Sequence, residues 1–208
     1  MNKKLLLSSI LLLNSCAFLE YKDTLDTIKS LTLGAQDIKI DSDFLESRQY
    51  SFIKVKIGRS LLAIMSLSRI EGDTFTWVGQ NNEIIQTKYG RIISTIGLSH
   101  DIDILNRSEI NPLSDDLNDL LVLLENPRAI VELKRSRTIE KNVMLTLDND
   151  YAADKYEVSF QARSFSWTGT NTYWFDQRSD LPFLPLKSIT TIHPRLPIFE
   201  IDFYYKFL

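Results

Sequence analysis

From residue 50 onward, apolar side chains recur at every second position, and that period of two commits most of the chain to β-sheet. Ile53, Val55 and Ile57 alternate with Phe52, Lys54 and Lys56. After a turn at Gly58-Arg59-Ser60 come Leu61, Ala63, Met65 and Leu67. Phe75 and Trp77 alternate with Thr74 and Thr76, and Gly79-Gln80-Asn81-Asn82 turns the chain into Ile84-Ile85. Arg91 to Leu98 is a further strand candidate. Short runs at hairpin spacing predict an antiparallel meander.

The second half keeps the same habit, with one interruption. Leu117, Leu120, Leu121 and Leu124 stand at helical spacing after Ser114, so residues 114–125 read as a helix. Strand patterns resume at 129–137 and 141–148. In 153–167, Tyr156, Val158, Phe160 and Ala162 share one phase while Phe165 and Trp167 take the other, which predicts a bulge near Arg163 or Ser164. Thr168-Gly169-Thr170-Asn171 reads as a turn before Thr172–Phe175, and 186–192 and 198–207 complete the set. Roughly nine to twelve strands result, so the fold expected is all-β, a barrel or strongly curved sheet. Two short helices precede it. Residues 18–31 carry Tyr21, Leu25 and Ile28 on one face, and 41–47 open with a capping box on Ser42 or Asp43 with Glu46.

The N-terminus has a different character. Lys3 and Lys4 precede an apolar run from Leu5 to Leu13, too short for a bilayer span of roughly 20 residues. It reads as a signal peptide over 1–15, with a lipidated N-terminus and tether helix over 16–34 and a single barrel-like domain over 35–208. Leu13-Asn14-Ser15-Cys16 resembles the bacterial lipobox, and Cys16 is the chain's one cysteine. A thiol readily forms the thioether to diacylglycerol that precedes cleavage, and several acyl chains hold a protein stably on a membrane. Ala17 is not the Asp of an inner-membrane retention signal, so the expected location is the periplasmic face of the outer membrane. Removing 1–15 leaves 22 basic against 27 acidic residues, scattered without a basic run, which argues against a nucleic-acid partner.

Three stretches, DIKIDSDFLESRQYSFIKVKIG, TFTWVGQNNEIIQTKYGRIISTIGL and TYWFDQRSDLPFLPLKSITTIHPRLPIFEI, resemble the YjbF/GfcB lipoproteins of exopolysaccharide and group 4 capsule operons. The matching positions are Tyr50-Ser51, Gly58, Trp77, Gly90-Arg91, Thr95, Gly97-Leu98, Tyr173-Trp174 and Ser188, behind the lipobox Cys16. The likeness covers about 35–205. It implies a β-barrel-like outer-membrane lipoprotein with a role in surface polysaccharide production or export, and it carries no catalytic residues. The Leu-rich 114–126 stretch departs from the pattern.

Trp77, Trp167, Tyr173 and Trp174 have the rings to stack on sugars, although core packing is the plainer use of such residues. Arg91 could hold an acidic sugar or a partner's carboxylate, or form an internal ion pair. His100, Asp101 and Asp103, with His193 as the other histidine, lack metal-ligand spacing and read as a surface turn. No cofactor or metal is expected, and no nucleophile elbow, Walker loop or dinucleotide fingerprint occurs. Ile201 to Leu208 could close an outer-membrane barrel, but the strands lack an aromatic girdle and a sustained apolar outer face.

The expectation is therefore a non-enzymatic scaffold that meets an outer-membrane export protein or the polysaccharide itself. An enzyme would need two carboxylates in a deep cleft, and an acyl-chain carrier a large dry cavity. An apolar patch at a barrel mouth would favour partner binding.

Overall fold

The computed structural model describes residues 38–59, 61–114, 117–177 and 184–206. A helix α1 (Ser42–Ser47) precedes strands β1 (Phe52–Ile57), β2 (Leu61–Glu71), β3 (Thr74–Val78), β4 (Ile84–Lys88), β5 (Arg91–Ile96) and β6 (Ile102–Ile104). A 3-10 turn at Arg107–Glu109 follows. Then come β7 (Leu120–Leu124), β8 (Ala129–Thr146), β9 (Asp150–Ala162), β10 (Thr168–Asp176), β11 (Pro185–Thr190) and β12 (Phe199–Tyr204). Each strand pairs antiparallel with its neighbours in sequence, and β12 returns to β1 to close the barrel. Of the two architectures the sequence permits, the chain adopts the closed one.

Alternation decides which side chains fill the interior. Ile53 and Val55 on β1, Trp77 on β3, Val131 and Leu133 on β8, and Phe199, Ile201 and Phe203 on β12 belong to one buried cluster. Their neighbours Lys54, Lys56 and Glu200 point outward. The seam is held on both faces. Inside, Ile53 lies opposite Phe203. Outside, Asp202 sits between Lys54 at 3.6 Å and Lys187 at 3.2 Å. Phe52 stacks on Tyr204 with centroids 4.8 Å apart, and Phe44 of α1 meets Phe52 edge-on at 5.6 Å. Helix α1 therefore covers the seam's outer aromatic pair.

Several local expectations are corrected. Where a helix was expected over 114–125, residues 120–124 form β7, with Leu120, Val122 and Leu124 buried. The run Leu-Leu-Val-Leu-Leu fits either period, and pairing with β6 and β8 selects the strand. The phase change after Ala162 is a chain reversal over 163–167 and not a bulge. Trp167 N–H donates to Phe165 C=O at 2.8 Å, and Ala162 N–H to Trp167 C=O at 2.8 Å. Thr168–Asn171 open β10 and are not a turn. The two candidates at 129–137 and 141–148 are one strand, β8, with a bulge between Glu140 and Val143. The cap of α1 is Asp41, whose carboxylate accepts from Phe44 N–H at 3.0 Å, one residue before the expected position. The 18–31 helix lies outside the described residues.

Candidate functional site

The first half of β2 is paired on one side only among the described residues. This strand has 11 residues and its neighbour β3 has five, so β3 pairs with β2 only from Ser66 onward. Among the described residues, Leu61 to Met65 pair with β1 alone. The phase of those bonds follows from Leu67 N–H donating to Ser51 C=O at 2.9 Å. Antiparallel bonding alternates, so Met65 and Ala63 also face β1, while Leu62 and Ile64 turn their N–H and C=O groups the other way. On that side β3 has already ended at Val78, and its turn closes on itself through Gly79 N–H to Glu83 C=O at 2.9 Å.

The result is a cleft of about 810 Å³ through the wall. Val55, Met65, Ile85, Leu98, Leu196 and Phe199 make its floor; Arg48, Gln80, Asn81, Glu83 and Ser99 form the rim. Glu83 accepts from the Asn81 side chain at 3.1 Å and from its backbone N–H at 3.1 Å. The Asn81 amide holds the Glu83 carboxyl below its ordinary range, so Glu83 is ionised at neutral pH. It is the one carboxylate among the described lining residues.

The opposite end of the barrel is covered by residues 105–114 and 117–119 of the loop between β6 and β7. Arg135 reaches up from β8 and donates from Nε to Asn118 C=O at 2.7 Å and from Nη2 to Glu109 C=O at 3.0 Å. Arg137 donates to Pro112 C=O at 2.9 Å and to Ser114 C=O. Two guanidiniums thus grip four carbonyls of a loop that lacks a ladder of its own. Burial, and then Arg91 beside it, pushes the Arg135 guanidinium down to about 10.

None of the aromatic or arginine candidates lines the cleft. Trp77 is 0% exposed and its Nε1–H donates to Thr87 Oγ1 at 2.8 Å. Trp167 is buried edge-on to Phe160 at 5.0 Å. Tyr173 is buried, and its hydroxyl accepts from Arg91 Nη1 at 3.4 Å. Arg91 is itself buried, reaching a phenol and no carboxylate partner among the described residues. Trp174 takes the opposite phase of β10 and is half-buried between Lys155 and Lys187 in register. Cys16 lies outside the described residues.

His100 and His193 come together, their rings parallel at 4.7 Å, with His193 buried and its Nδ1 accepting from Arg195 N–H at 3.1 Å. Asp101 accepts from Thr95 Oγ1 at 2.9 Å and from the N–H groups of Gly97 and Leu98 at 3.0 Å, fixing the β5–β6 turn as expected of a turn residue. Asp103 lies instead on β6, paired with Arg107 at 2.5 Å. No three metal-ligating side chains converge among the described residues. Gly90 has φ +75° and a Cβ there would sit 2.8 Å from Pro185, so this turn admits only glycine. The cleft itself went unread in the sequence. Its signal was the uncharged run Leu61-Leu62-Ala63-Ile64-Met65 set against the short β3.

Comparison with known proteins adds the following. The family model described as group 4 capsule polysaccharide lipoprotein GfcB, YjbF, matches residues 25–203. The uncharacterized lipoprotein GfcB of Escherichia coli (strain K12) is 24% identical over 92 residues, which is 44% of this chain and 43% of that protein. The match therefore spans less than half of the relative's length. The crystal structure of the hypothetical lipoprotein YmcC from Escherichia coli (K12) superposes with a TM-score of 0.67 at 17% identity, covering 86% of this chain and 94% of the other. That likeness is one of fold.

Proposed function

This chain belongs to the group 4 capsule polysaccharide lipoprotein family, and from that premise we propose that it is a periplasm-facing outer-membrane lipoprotein supporting assembly or export of an extracellular polysaccharide. It acts as a non-catalytic scaffold, anchored through lipid on Cys16. The observation that supports scaffolding over catalysis is the cleft beside β2, which has an apolar floor, a mixed rim and, among its described lining residues, one carboxylate where a glycosidase needs two.

Deleting the gene and measuring polymer inside and outside the cell tests this role. Polymer retained inside, or missing outside with its chemical structure normal, is the expected result. Polymer exported with altered length or substitution would overturn it in favour of an enzyme. The anchor is tested separately, because Cys16→Ser should abolish palmitate labelling and leave an uncleaved precursor. Continued labelling would remove the anchor.

A further inference from the structure

We propose that the cleft takes an extended segment of a partner protein, which adds a strand to the free edge of β2 through the backbones of Leu62 and Ile64. This deepens the scaffold reading by naming the chemistry of what docks, and it rests on that reading.

Leu62 and Ile64 each turn an N–H and a C=O toward the cleft, with no partner strand beyond them among the described residues. Such a row is complementary to another extended chain, spaced as a strand is spaced. The side chains sharpen the case. Leu61 to Met65 are five consecutive apolar residues without a charge or a proline, and Leu61 is 53% exposed. Natural edges are usually blunted by lysine, proline or a bulge, and none of these is present along this stretch. The bulge of β2 lies further on, between Leu67 and Arg69, where β3 already covers the strand.

The shape of the cleft selects the occupant. The 79–83 turn and Gly97–Ser99 stand along its other side. A cleft of about 810 Å³ between them and β2 has the size of a site for one short segment, and not for the edge of a second folded copy. Alternate side chains of an inserted strand point into the floor formed by Met65, Ile85 and Phe199, so the segment carries apolar residues at every second position. A glycan is the poorer match. It offers no alternating amide row, and the one aromatic ring among the described lining residues, Phe199, is 0% exposed.

The test uses the full-length protein and a fluorescein-labelled peptide of alternating valine and threonine flanked by lysines. Amide hydrogen exchange should show Leu62 and Ile64 fast in the free protein and slow with peptide, while Ala63 and Met65 are slow throughout. Ile64→Pro removes a donor that faces the cleft and leaves the β1 ladder intact, so it should weaken the peptide about tenfold or more, as loss of one hydrogen bond predicts. Ile64→Val should bind as the parent does. The wild-type exchange pattern decides the matter even if Ile64→Pro fails to fold. Absence of binding, protection elsewhere, or Leu62 and Ile64 amides already slow in the free protein would each overturn strand docking. A polymer export defect on gene deletion alongside any of these leaves the scaffold role standing and removes only this inference.

Discussion

Trp77 lies wholly inside the barrel, its indole N–H donating to Thr87 Oγ1. In the closed barrel the ring packs against Phe75 and Phe203, each with centroids 6.0 Å away. Trp77→Ala should therefore destabilise the fold by about 3–5 kcal/mol in urea unfolding, while an unchanged midpoint with lost export would make Trp77 a binding residue. His193 had no place assigned by the sequence beyond its lack of metal-ligand spacing; it is buried, its ring against that of His100 from far along the chain. Burial, then His100 and Arg195, lower the His193 pKa. The unfolded chain then binds the proton more readily, so this contribution is complete above about 6.5 and is lost as pH falls through the lower folded value. His193→Phe should flatten the pH dependence of the melting temperature in that window; an equally steep profile would show that other groups cause it.

At the scale of elements, strands bounded by clear turns were read best, and stretches compatible with two periods were read worst. β7 is the instructive miss. Leu117, Leu120, Leu121 and Leu124 satisfy a helical template, yet Leu120, Val122 and Leu124 satisfy a strand, and only neighbouring strands choose between them. The loop before it has no period, because its order comes from side chains on β8. Arg137→Met should leave the Pro112 and Ser114 carbonyls without their donor and cost about 1–3 kcal/mol. Exchange should quicken at Leu113 and Ser114 while Leu120 keeps its protection. Uniform slowing or no change would mean that Arg137 does not hold the loop.

For the molecule as a whole, the all-β class followed from alternation, while closure depended on a pairing between the two ends of the domain that no local pattern records. The resemblance to capsule lipoproteins supplied a role that alternation could not. The cleft was hidden for a related reason: it arises from a difference in length between two neighbouring strands, and neither strand is unusual alone. The β1–β12 seam carries a further consequence, in time. Every other pairing joins strands consecutive in the chain, whereas Lys206 N–H meets Ser51 Oγ at 2.8 Å across 155 positions. Hairpins can form locally and early, but the seam must wait for the last strand, and long-range closure of this kind places folding toward the slow end of the scale. Until it happens, the nascent protein is a ribbon with both ends unmet, and the order of synthesis makes β12 the strand on which completion depends.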